Sequence, residues 1–232
     1  MNTNRKTRIL GAAFLLQFIT SVSSGSLIRP LWLVPDDISA TMLKIAENPN
    51  LLRVNILVDM LTALGVIFLG AILFITLRKQ NEKIALTALG FYILEGALLA
   101  ASRIGSFSLL KLSQEYASIG QPESLLVFGN VALEAMDYVG DALHVLAFCL
   151  GAILFYVLLY QSKSVPHWLS LWGLITVVPV LAGTLTALFD VHLPFIFFLP
   201  YFPFEFVIGI WVLVKGVPEV GQWNRIDLIQ PA

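Results

Sequence analysis

The stretch LEAMDYVGDALHVLAF, residues 133–148, sets Glu134, Asp137, Asp141 and His144 on one helical face, within about 80° of arc. Three carboxylates and an imidazole so arranged are the material of a proton or cation site, or of a metal site completed from elsewhere. Two other carboxylates, Glu95 in GFYILEGALL and Glu205 in LPYFPFEFVIGIWVLVKG, are of a different kind, because each stands alone in an apolar run. The metal reading is weak. His144, His167 and His192 are far apart in sequence, and His144 with His192 and Asp141 lacks a local ligand pair, so no metal is expected. The chain has no Walker loop, dinucleotide fingerprint, HExxH or GxSxG, no lysine placed mid-span for a Schiff base and no facing histidines for haem. No cofactor is expected.

The elements that must hold these residues are membrane helices. Charged residues are 12% of the chain against about 25% in soluble domains, hydrophobic residues are 58%, and the mean hydropathy is +0.85. The apolar runs are long enough to cross a bilayer. The expected fold is all-α: a single integral membrane domain over residues 1–232, with spans at about 9–28, 54–77, 84–109, 142–160, 167–189 and 194–214. The first run also has the layout of a signal peptide, but it is long for one and completes the count of six. The lipid bilayer is the expected partner. A net charge of −1 argues against nucleic acid. The single cysteine, Cys149, excludes an internal disulfide.

Sidedness follows from lysine and arginine. Arg5, Lys6, Arg8, Arg78, Lys79, Lys83, Lys163, Lys215 and Arg225 fall on one side, against Arg29, Lys44, Arg53 and Lys111 on the other. The positive-inside rule then puts both termini in the cytoplasm of a cell-membrane protein. On the outer side, PDDISATMLKIAENPN reads as a short amphipathic helix, and LKLSQEYASIGQPES as a second such piece ending at Gly and Pro.

A rise of about 1.5 Å per residue converts sequence distance into depth. Counted from Lys83, Glu95 lies about 18 Å in, just past the midplane of a core about 30 Å thick. Counted from Lys215, Glu205 lies about 15 Å in, at the midplane. Arg103, Asp59 and His144 come out at the outer boundary, Asp141 just beyond it, and Glu134 and Asp137 about 10–15 Å outside. The opening stretch is therefore a wet entrance, and the costly charges are Glu95 and Glu205. A carboxylate at their depth costs about 2.5–3.5 kcal/mol unless it is neutral, paired or wet. Arg103 is the only basic group at hand, about 12 Å further along the helix axis from Glu95. Polar stripes on the other spans point to the same interior: Gln17, Ser21 and Ser24; Asn55, Asp59 and Thr62; Tyr92, Glu95, Ser102 and Ser106; Thr176, Gly183 and Asp190. Interhelical hydrogen bonding is the ordinary use of such stripes. Pro194, Pro200 and Pro203 precede Glu205, so the last span either breaks above it or starts at a proline.

The stretches GFYILEGALL, LSQEYASIG, SVPHWLSLWGLI and LPYFPFEFVIGIWVLVKG, in this order, resemble the bacterial integral membrane family catalogued as domain of unknown function forty-three eighty-six. Pro166, Trp168, Leu169, Ser170, Trp172 and Gly173 carry the most specific part, followed by Glu205, Trp211, Lys215 and Gly216. The resemblance implies about six membrane helices and no known activity, with Glu95 and Glu205 matching the family's intramembrane glutamates. The family pattern often has an arginine where Tyr92 stands here, which removes the nearest ion-pair partner of Glu95. Arg103 then substitutes, or a protonated Glu95 bonds to Tyr92.

The expectation is a protein that binds or transports a small molecule or ion through a polar cavity open to the outer side. Glu95, Glu205, Arg103 and Tyr92 form the ligand or proton site; Asp59, Asp141 and His144 line the mouth. The alternatives are an intramembrane enzyme acting on a lipid-like or quinone-like substrate, and an accessory protein whose polar groups only pack.

Overall fold

Apolar residues on every face of a helix leave its orientation to packing, and α4 (Pro49–Leu77) shows the result. Leu57, Leu61, Leu64, Phe68 and Ile75, at helical spacing, are exposed. Asn55, Asp59, Thr62, Val66, Leu69 and Leu73 on the opposite face are buried. Apolar outside and polar inside is the arrangement that lipid imposes, because buried polar groups find partners only within the bundle.

The computed structural model describes residues 3–189, 191 and 193–217, and all described regular elements are helical. Asp190, His192 and Arg225 lie outside the described residues, and so does any meeting of His144 with His192. The first helix, α1 (Thr3–Val22), continues through a π-helical turn, Ser23–Ile28, into α2 (Arg29–Trp32). Then come α3 (Ile38–Glu47), α4, α5 (Glu82–Ser118) and α6 (Glu123–Asp137). A second π-helical turn, Tyr138–Leu143, leads into α7 (His144–Ser162), followed by α8 (His167–Ala187) and α9 (Phe202–Lys215). Local signals set the ends. Asn81 caps α5 by accepting from the Ile84 amide at 3.2 Å, Lys163 closes α7 in the left-handed region at φ 53°, and Gly216 stops α9 at φ 74°.

Among the described residues, five segments are long and apolar enough to cross a membrane: Arg8–Trp32, Pro49–Leu77, Glu82–Ser118, Glu123–Ser162 and His167–Ala187. The sixth expected span is shorter as a helix than the 194–214 run suggests. After a 3₁₀ turn at Phe195–Phe197, regular helix begins only at Phe202 and lasts 14 residues, about 21 Å. Pro200 and Pro203 account for the late start, since proline cannot donate the hydrogen bonds a continuous helix needs. The Trp172 indole N–H donates to the Pro200 carbonyl at 3.1 Å, tying this irregular segment to α8.

α9 packs antiparallel to α1. Gly11 sits so close to α9 that an added Cβ would meet the Leu213 backbone and, at 2.8 Å, the Gly209 carbonyl. Higher up, the Phe18 and Phe206 rings meet at a 43° tilt with centroids 5.5 Å apart. The described ends of the chain therefore share one face of the bundle, here called the near face. The packed core on this side includes Phe14, Leu73, Tyr92, Phe155, Tyr156 and Phe204.

The opposite, far side protrudes. α5 has 37 residues and the Glu123–Ser162 segment 40, about 55 and 60 Å of helix against a core about 30 Å thick. The expected outer amphipathic helix is α3, its first turn capped by the Asp37 carboxylate accepting from the Ala40 amide at 2.9 Å. It does not lie free on the surface: Met42 and Ile45 are fully buried with Leu109, Leu110 and Tyr116 of α5 and with Met136 of α6. The second expected piece, at 110–124, is not a separate helix. It is the end of α5, which runs on past the membrane-length stretch to Ser118 because Trp32, Met42 and Ile45 give its protruding face something to pack against.

Candidate functional site

Two cavities lie inside the bundle, and they meet at Gln17, Ser21 and His144, which line both. The far cavity has a volume of about 120 Å³ and the near one about 210 Å³. Their walls differ in how completely the polar groups satisfy one another.

In the far cavity the groups around Asp59 and Arg103 satisfy one another, while Gln17 Oε1 and His144 Nδ1, shared with the near cavity, have no partner among the described residues. Asp59 on α4 accepts from Arg103 on α5, from the Ser24 hydroxyl and, at 3.1 Å, from the Asn55 amide. Asn55 also donates to Ser24 at 2.6 Å and accepts from the Trp32 indole at 2.7 Å. Arg103 adds two bonds to Ser102 Oγ, at 3.0 and 2.8 Å, and Ser102 passes its proton to the Leu99 carbonyl at 2.7 Å. The pair is withdrawn from water, its side chains only 8% and 13% exposed. Such a network fixes helix register, because leaving any buried member unpaired is costly. Gly140 completes it by its absence of a side chain: a Cβ there would fall 2.7 Å from Arg103 Nη2 and 3.0 Å from Ser102 Oγ. Toward solvent, Arg29 donates to Asp137 at 2.7 Å and to Asp141 at 3.3 Å, strapping the first helix to the sixth and to its π-helical turn. Each strapped segment is π-helical or adjoins a π-helical turn, a wider turn that recurs at functional sites.

The near cavity does not close in this way. Glu95 comes from the middle of α5, Glu205 from the first turn of α9, Gln17 and Ser21 from α1, and His144 from the start of α7. Glu95 is 4% exposed, and its Oε2 is buried with no hydrogen-bond partner. Gln17 Oε1 and His144 Nδ1 are likewise buried and unpartnered. Glu205 differs. The Tyr201 hydroxyl donates to its Oε1 at 3.0 Å, and the Tyr156 and Tyr201 hydroxyls lie 2.6 Å apart. Since Tyr201 spends its single proton on Glu205, Tyr156 must donate to Tyr201, giving the chain Tyr156→Tyr201→Glu205. Phe18, Phe148, Phe202 and the Tyr201 ring form the apolar part of the wall.

The structure divides the expected ligand or proton site, Glu95, Glu205, Arg103 and Tyr92. Glu95 and Glu205 share the near cavity, while Asp59, Arg103 and Asp141 belong to the far one. His144 lies between the two rather than at an outer rim. Arg103 does not substitute as the partner of Glu95, because the carboxylate of Asp59 on the neighbouring helix meets it first. Tyr92 lines neither cavity and makes no bond to Glu95. Its ring is packed between Gly70 and Gly151 and meets Phe155 edge-on at 5.1 Å. Glu134 is exposed and outside both cavities. Arg29, Tyr156 and Tyr201 were missed by sequence reasoning. For Tyr201 the i, i+4 spacing to Glu205 was a usable signal; for Tyr156, on another helix, there was none. Among the described residues no group of three His, Cys, Asp or Glu side chains is placed to hold a metal.

No curated protein and no solved structure matches the chain. The family model described as Domain of unknown function (DUF4386) matches residues 9–216. A match over that much of the sequence, on a helical chain with five membrane-length segments, places this protein in that membrane family of unknown function.

Proposed function

We propose that this protein binds a small ligand or ion in the near cavity and transports it across the membrane by a path open to the outer side, and that the same path conducts protons. One observation carries the reading: two carboxylates from different helices, Glu95 and Glu205, face one intramembrane cavity, and Glu95 has no partner for its buried oxygen. A charge so placed is expensive, and intramembrane ionisable residues of this kind mark ion and proton paths. The positive-inside rule puts both termini in the cytoplasm, which makes the far side external. The far cavity then leads outward from His144 to the partly solvated Arg29–Asp137–Asp141 strap.

The test is proton uptake into liposomes holding the purified protein, driven by an inside-negative potassium diffusion potential and read by a trapped pH dye. Wild-type protein should acidify the lumen well above empty liposomes, and Glu95→Gln and Glu205→Gln should each lower the rate at least tenfold. Rates in both variants equal to wild type, or wild-type rates equal to empty liposomes, would overturn the proposal.

A further inference from the structure

The chemistry of the near cavity identifies the class of guest it fits. Its electrostatics come first. Two carboxylates line it and no lysine or arginine does. The two arginines that line the adjoining far cavity are engaged, Arg103 on Asp59 and Arg29 on Asp137 and Asp141. Glu205 has a donor in Tyr201, whereas Glu95 Oε2 has none among the described residues. A cation beside Glu95 supplies what the protein withholds.

Hydrogen bonding comes second. Gln17 Oε1 is an acceptor in every state and Glu95 Oε2 is one when the carboxylate is charged, and both are buried without a partner among the described residues. The missing partner is a donor of N–H or O–H. The third consideration is size and surface. About 210 Å³ far exceeds a bare metal ion or one water, whose share of liquid volume is about 30 Å³. It also exceeds an apolar cavity of about 150 Å³ that holds benzene. Phe18, Phe148 and the Tyr201 ring supply aromatic faces, which attract cations and cover apolar carbon alike.

We infer that the near cavity is a site for a primary organic ammonium ion carrying a compact apolar or aromatic body. The ammonium group donates to Glu95 and Gln17, and the body packs among Phe18, Phe148 and Tyr201. This inference rests on the transport reading above and names the ligand class of the same site.

The test uses 2-phenylethylammonium, one ethylammonium arm larger than benzene, with 2-phenylethanol as its neutral isostere. Binding to the purified full-length protein is measured by calorimetry in detergent. The ammonium should bind at least tenfold more tightly than the alcohol, Glu95→Gln should remove most of that preference, and Val145→Phe, which fills the cavity wall, should abolish binding of both. Equal affinity for ammonium and alcohol in the wild-type protein overturns the inference, and this comparison needs no variant to fold. Glutamate-dependent proton uptake with no ammonium preference refutes the ligand class and leaves the transport reading standing. Loss of both the preference and the glutamate-dependent uptake refutes the two together.

Discussion

Replacing Arg103 by Met would leave the Asp59 carboxylate buried with only Ser24 and Asn55 as donors. At an effective dielectric of about 20, unit charges about 4 Å apart attract by about 4 kcal/mol. Neutral hydrogen bonds between membrane helices average about 0.6 kcal/mol, so the remaining donors cannot make up the loss. Breaking a buried pair from one side costs about 3–5 kcal/mol, and the low exposure of both side chains puts this pair in that class. Asp59 can relieve part of the cost by taking up a proton, which points to the lower end of the range. Asp59→Asn should cost a similar amount by stranding Arg103. The double variant Asp59→Asn/Arg103→Met removes both charges and keeps the amide and hydroxyl contacts. It should therefore be more stable than the sum of the single losses by more than about 2 kcal/mol. The assay is a double-mutant cycle of SDS unfolding in mixed micelles, followed by far-ultraviolet circular dichroism. A coupling below about 1 kcal/mol, the worth of an exposed pair, would refute the claim that this ion pair fixes the register of α4 against α5.

The Arg29 strap is partly solvated, with Asp141 65% exposed. Arg29→Gln should change stability by less than about 1 kcal/mol, yet raise the labelling rate of Ser21→Cys by a membrane-impermeant thiol reagent; an unchanged rate would show that the strap does not cover the cavity. Tyr201→Phe removes the donor to Glu205 Oε1, and proton uptake in liposomes should fall several-fold while the helical circular dichroism is kept. Wild-type uptake in that variant would remove the tyrosine chain from the site. Gly11→Ala places a methyl group against the Leu213 and Gly209 backbone and should cost about 1–3 kcal/mol in the same unfolding assay. A neutral result would contradict the close α1–α9 contact that holds Glu205 in place.

Depth was legible in the sequence and rotation was not. Counting from Lys83 and Lys215 put Glu95 and Glu205 at one level, and they do line one cavity, because rise per residue is fixed by helix geometry. Which helix faces which is set by packing, and the many apolar residues of α4 and α5 say little about it. Hence Arg103 could be weighed against Glu95 by distance along α5, but its actual partner, Asp59, lies across the interface. The end of α5 was misplaced for a related reason. Hydropathy falls at Lys111 and Glu115 where the helix leaves the apolar layer, while helicity continues because Leu109, Leu110 and Tyr116 still have α3 to pack against. The π-helical turns carry no period of their own.

The proline-rich lead into α9 bears on why the two glutamates are not equivalent. A regular span through 194–214 would have buried Glu205 mid-helix. Starting the helix at Phe202 instead leaves Glu205 in a first turn, one helical turn after Tyr201, whose hydroxyl donates to Oε1. The break that shortens the span thus makes its carboxylate supportable. Glu95, in the middle of a 37-residue helix, has no such relief. On the proposed function, that costly position is the one a cation or a proton occupies. On the same proposal, a carboxylate that has a donor next to one that has none lets a cavity hold either a proton or a cation and not favour both at once. Exchange between such occupants is what coupling one flux to the other needs.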